Sequence, residues 1–131
     1  MEKTAYKEIF EKSIYEIFFE NAIKYLKPGY PAPWLSRYDS WAYITAFNPG
    51  SKMLREEENI RRNKKLLQDI KEMNYKYYEG QSYEPQSGYW HENGYLILNI
   101  DFETAKMLAA KYGQLAFLFG ETGTPCRLIF L

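Results

Sequence analysis

Residues 44–63 read ITAFNPGSKMLREEENIRRN, and this stretch constrains the fold more than any other. It begins inside a short apolar run, Trp41 to Phe47, whose density of large side chains suits a strand buried on both faces. Asn48-Pro49-Gly50 ends the run with turn chemistry: proline presets φ, and asparagine and glycine accept left-handed backbone. A helix is expected from about Leu54 to Met73. Strand, turn and helix in that order create a polar edge at a helix N-terminus, where free N–H groups favour an anion.

The helix carries two misplaced amides. Its apolar stripe is set by Ile60, Leu67, Ile70 and Met73, and Asn63, three after Ile60 and four before Leu67, points into that stripe. Asn59 lies one turn earlier on the same edge. An unpaired buried amide costs about 1–3 kcal/mol, so both need partners. Either they hydrogen-bond the backbone of the Asn48–Ser51 loop and pin it to the helix, or they bind a ligand there. The readings are compatible, since a pinned loop can present its own donors outward.

Around this segment the chain reads as alternating elements. Residues 4–27 carry Tyr6, Ile9, Phe10, Ile14, Ile17, Phe18 and Tyr25 at spacings of three and four, which predicts an amphipathic helix ended by Pro28-Gly29. A Pro-rich link with Pro31, Pro33 and Trp34 follows. A second strand is expected at Tyr75–Tyr78, then a polar, aromatic loop over 79–93, a third strand at Tyr95–Ile100, and a helix capped by Asp101 and ended by Gly113. Leu115–Phe119 and Cys126–Leu131 complete the pattern as a hairpin. The order is α-β-α-β-β-α-β-β, predicting an α/β (α+β) fold over residues 1–131. It is read as a single domain with about three helices on a mixed four- to five-stranded sheet, each β-α-β stretch forming a parallel crossover. That topology places Asp101 and Glu121 at the same edge as the Asn48 loop, and Gln114 away from it.

Composition narrows the function classes. The formal net charge is zero, which is not the basic footprint of a dedicated nucleic-acid binder. One cysteine and one histidine make a poor zinc set, so no metal is expected, and no cofactor motif is legible. The acidic residues Glu2, Glu8 and Glu11 argue against a signal peptide, and no apolar run reaches the ~20 residues of a membrane span. A cytoplasmic location and no membrane partner are therefore expected, while the oligomeric state stays open. The loop after the turn is too poor in glycine for a P-loop, although Gly50, Ser51, Arg55 and Arg62 could meet an anion. His91 beside Glu92 is a candidate acid–base pair, and Cys126 reads as a buried structural thiol.

Residues 41–131 resemble the small bacterial and phage proteins grouped as DUF3293, a domain of unknown function. The resemblance rests on ITAFNPGS, on Glu58-Asn59 and Arg62-Asn63, on Trp90 and Glu92 ahead of the Tyr95–Ile100 strand, and on YGQLAF at 112–117. It implies no activity, but it marks Thr45, Asn48, Ser51, Asn59, Asn63 and Gln114 as positions of interest.

The leading expectation is a small protein holding a polar or phosphate-bearing, nucleotide-like molecule at the 44–63 edge. Its ligand-binding set is Thr45, Asn48, Ser51, Asn59, Arg62, Asn63, Trp90, Glu92 and Gln114. The alternatives are a hydrolase or transferase of nucleotide-like substrates on the same site, using Glu92, His91 or Glu121, and a protein-interaction module using Tyr89 and Trp90 of the aromatic loop.

Overall fold

The computed structural model describes residues 3–84 and 91–131. Three helices, α1 (Lys3–Lys12), α2 (Glu56–Glu72) and α3 (Phe102–Lys111), accompany seven strands: β1 (Ile14–Phe19), β2 (Ala22–Leu26), β3 (Ser40–Thr45), β4 (Tyr77–Tyr83), β5 (Glu92–Leu98), β6 (Ala116–Glu121) and β7 (Arg127–Phe130). All seven form one sheet in the order β2-β1-β4-β5-β3-β6-β7, and every neighbouring pair is antiparallel. The α+β class and the three helices agree with the sequence reading. The four- to five-stranded mixed sheet does not.

Two corrections explain the difference. The helix expected over 4–27 stops at Lys12, and the rest is the β1–β2 hairpin. Within Ile14–Phe19 the buried residues are Tyr15, Ile17 and Phe19, a period of two that β-branched and aromatic side chains favour. Phe19 pairs with Ala22 across a two-residue turn, in which Glu20 takes φ 55°. The expected parallel crossovers are the second correction. β3 and β4 do run in the same direction, but β5 lies between them, and β3 likewise lies between β5 and β6. Each β-α-β unit thus spans an inserted antiparallel strand.

The sheet curls into a half-barrel. Its two edges meet at one end, where the Gly29 N–H donates to the Cys126 carbonyl (2.7 Å) and the Cys126 N–H donates to the Tyr30 carbonyl (2.9 Å). The inner face packs Tyr15, Ile17, Phe19, Leu26, Leu35, Trp41, Tyr43, Leu96, Leu98 and Leu118. On the outer face Ile44, Ile97, Phe117 and Phe119 meet Leu66 and Ile70 of α2 and Ala105, Leu108 and Ala109 of α3. β3 is therefore buried on both faces, as its unbroken apolar run requires. Asp101 caps α3 by accepting from the Thr104 N–H at 3.1 Å. No helix among the described residues is long and apolar enough to cross a membrane.

The inward stripe of α2 is rotated from expectation. Asn59, Asn63, Leu66 and Ile70 are buried, whereas Ile60 and Met73 are exposed. The two asparagines thus sit at the centre of the packed face rather than on its margin.

Candidate functional site

The polar residues picked out at the β3–α2 junction converge on the backbone of residues 46–54. The Asn59 side-chain oxygen accepts from the Asn48 N–H (2.8 Å), and its amide donates to Asn48 Oδ1 (2.8 Å). Asn48 Oδ1 also accepts from the Leu54 N–H (2.9 Å), closing the loop onto the start of α2. Asn63 accepts from the Ala46 N–H at 3.2 Å. Arg62 donates to the carbonyls of Ala46 (2.9 Å) and Tyr112 (2.7 Å), so its guanidinium ties this loop to the end of α3. Thr45 donates to the Asn93 carbonyl (2.6 Å) and accepts from the Phe47 N–H (3.1 Å).

Gln114 joins this set, donating to the carbonyls of Phe47 (3.0 Å) and Tyr112 (3.3 Å). The parallel topology had placed it elsewhere. Because β6 runs antiparallel to β3, the start of β6 lies beside the end of β3. For the same reason Asp101 and Glu121 are not at this edge. Glu121 pairs with Ser40 at the other end of β3, and Ser40 Oγ donates to the Ile100 carbonyl beside Asp101.

The loop N–H groups are engaged as well. Gly50 donates to the Gly113 carbonyl (2.8 Å), Ser51 to Asn48 (2.9 Å) and Lys52 to Pro49 (3.2 Å). Asn48, Gly50 and Ser51 all have positive φ, at 47°, 65° and 60°. For serine this is a sparsely populated conformation, held here by its surroundings.

On the inner side of this loop lies a cavity of about 120 Å³. Its apolar walls include Ile9, Phe10, Leu118 and Leu128, and its polar end is formed by Glu92, Thr45, Ser51, Ser82, Gln114 and the tyrosines Tyr15 and Tyr43. The sheet register brings the polar residues together: Tyr15 pairs with Ser82, and Ser82 pairs with Glu92. Tyr43 reaches over two strand glycines. A Cβ at Gly94 would lie 2.6 Å from its hydroxyl oxygen, and one at Gly80 would lie 3.0 Å from its ring. Tyr15 meets the Tyr43 ring edge-on at 5.7 Å and donates its own hydroxyl to the Phe10 carbonyl (3.1 Å).

Two groups at this polar end are electrostatically unusual. Glu92 is half-buried and, among the described residues, receives one hydrogen bond, from the Asn48 side-chain amide at 2.9 Å. Loss of water around the carboxylate pushes its pKa up to about 7, against the opposing effect of that bond. The Tyr43 hydroxyl is buried and has no hydrogen-bond partner among the described residues. Burial, reinforced by Glu92 and opposed by the neighbouring Ser82 hydroxyl, raises the Tyr43 pKa well above the ordinary phenol range.

The other candidates fall away from this centre. His91 is exposed and stacks on Tyr83 at 5.3 Å, outside the cavity lining. Cys126 is buried, and loss of solvation pushes its thiol up to about 12. Trp90 and Tyr89 lie outside the described residues. Sequence reasoning missed Tyr43, Ser82 and the α1 residues of the wall. An interior strand glycine marks close approach by a bulky neighbour, but the sequence pattern puts Gly80 in the 79–93 loop and Gly94 ahead of the next strand, whereas they lie within β4 and β5.

A family model described as "Protein of unknown function (DUF3293)" matches residues 44–117, more than half of the chain. The protein belongs to this family. The matched segment runs from β3 to the start of β6 and contains the whole loop lattice, Glu92 and Gln114. No curated protein and no solved structure matches the chain.

Proposed function

We propose that this protein binds a small molecule in the cavity on the inner side of the 46–51 loop, with Glu92 at the polar end of the site. The observation that carries this reading is a pocket with apolar walls whose one charged lining residue among the described residues is a desolvated carboxyl group. Pockets of mostly apolar lining with a few convergent polar groups and a perturbed pKa are the usual form of a binding site. An apolar cavity of about 150 Å³ admits a single benzene ring, so the occupant here is about one ring or a short chain.

The nucleotide-like ligand expected at the outer 44–63 edge has less support. Arg62 and the N–H groups of Asn48, Gly50, Ser51 and Lys52 are already engaged, and Glu92 would repel a phosphate drawn inward. An enzymatic reading is favoured by one further observation. A carboxyl group with a pKa of about 7 suits general acid–base chemistry, and Ser51, held at positive φ, shares the cavity lining.

The test is to titrate the isotope-labelled protein with benzyl alcohol, a neutral one-ring probe. The expected outcome is amide shift changes at residues 43, 82, 92 and 118, abolished in Ala116→Leu, which fills the cavity. Changes confined to residues 59–63, or none at all, would refute the cavity as the binding site. Nucleotides added in parallel would test the outer edge, and product formation from any of them would add turnover to binding.

A further inference from the structure

The polar end of the cavity has a chemical bias. Glu92 Oε2 accepts from Asn48, while its other carboxylate oxygen has no protein donor among the described residues. Gln114 uses its amide nitrogen on two backbone carbonyls, which leaves its oxygen as the group it can offer. The hydroxyls of Ser51 and Ser82 can donate or accept, so the bias comes from charge: Glu92 is the charged group among the described lining residues. No lysine, arginine or histidine is among the described lining residues. Phe10, Tyr15 and Tyr43 add aromatic faces or edges around the same space, and aromatic faces attract cations.

We propose that the cavity recognises a small protonated amine carried on an apolar body, its ammonium group directed to the Glu92 carboxylate. This rests on the cavity being the binding site and specifies what the site prefers. An ammonium group supplies donors to the carboxylate oxygen that Asn48 does not reach, and its charge offsets the cost of an ionised carboxylate out of water. An anion would meet Glu92's like charge. A neutral hydrocarbon would fill the apolar walls and leave Glu92 unsatisfied.

The preference carries a pH dependence of known sign. Glu92 must be ionised to pair with the amine, and burial holds its pKa at about 7. The titratable groups facing it are the phenols of Tyr15 on β1 and Tyr43 on β3, both raised by burial and neutral over the relevant range. The described residues of β4, β6, β7, α1 and the 46–51 loop bring no charged side chain to the lining. Amine affinity should therefore rise by about tenfold between pH 6 and pH 8, as the carboxyl group goes from mostly protonated to mostly ionised.

The experiment compares benzylamine, benzyl alcohol and benzoate by calorimetry and amide shifts at pH 6 and pH 8. Benzylamine is expected to bind at least tenfold more tightly than benzyl alcohol at pH 8, to lose that margin at pH 6, and to lose it at both values in Glu92→Gln. If the Glu92 variant does not fold, the pH 6 against pH 8 comparison of benzylamine with benzyl alcohol on the unsubstituted protein carries the test. Benzyl alcohol binding as tightly as benzylamine at both pH values would overturn the amine proposal and leave the cavity standing as a neutral site. Tighter binding of benzoate would overturn it too. If none of the three probes binds, both readings fail together.

Discussion

The loop over residues 46–54 and the cavity beneath it share a boundary, yet their polar groups are treated in opposite ways. In the loop, the amides of Asn48, Asn59, Asn63 and Gln114 and the guanidinium of Arg62 all meet backbone or side-chain partners. In the cavity, the Tyr43 hydroxyl has no partner among the described residues and Glu92 has a single one, donated by Asn48 from the loop itself. A buried polar group that is matched stabilises the fold, and one left unmatched lowers stability. The asparagines first noticed in the helix thus hold the loop, and the site we propose lies on its other side.

Substitutions can break this contrast, and the largest effect belongs to the loop. Asn59→Ala removes two hydrogen bonds and strands the Asn48 N–H in a buried place. We expect a loss of about 2–3 kcal/mol in urea unfolding. A cost below about 0.5 kcal/mol would show that the lattice does not hold the loop.

Glu92 gives the next largest effect, and its sign is opposite to that of most carboxylates. The folded-state pKa of about 7 lies above the ordinary value of 4.5, so folding favours the protonated form. The folded state then holds more protons than the unfolded state between those values, and stability falls as pH rises from about 4.5 to 7. Glu92→Gln should remove that slope and be the more stable protein at pH 8, by on the order of 1–3 kcal/mol. Identical pH profiles for the two proteins would contradict the assignment.

Gln114→Ala should cost about 1 kcal/mol, since it loses contacts at the junction of Phe47 and Tyr112 while the Tyr112 carbonyl keeps its bond from Arg62. The smallest change is expected at Tyr43→Phe. Deleting a buried hydroxyl without a partner should leave stability within about 0.5 kcal/mol or raise it. A loss as large as that of Asn59→Ala would mean that Tyr43 is a lattice member after all.

Much of the loop was legible in the residues, because helical spacing and the cost of a buried amide are local arguments. Asn59 and Asn63 at i and i+4 had to face inward together, and a nearby backbone was the available partner. Strand direction was not local. β-α-β order favours parallel neighbours, but here β5 is inserted between β3 and β4, and nothing in either flanking sequence states that insertion. Misjudging it moved Gln114 out of the site and Asp101 and Glu121 into it. The β1–β2 hairpin was obscured for a different reason: Ile14, Ile17 and Phe18 satisfy a helical spacing while Tyr15, Ile17 and Phe19 satisfy an alternating one. With the hairpin went Tyr15, and with the strand directions went the wall that β6 and β7 build opposite Glu92.

The most direct test of a site centred on Glu92 is the carboxyl titration of that residue, followed by carbon-13 NMR in the free protein and with saturating benzylamine. The account predicts a midpoint near 7 in the free protein, moving down toward the ordinary carboxylate range when the amine is bound. A free-protein midpoint already in the ordinary range, or one near 7 that benzylamine does not move, would contradict it.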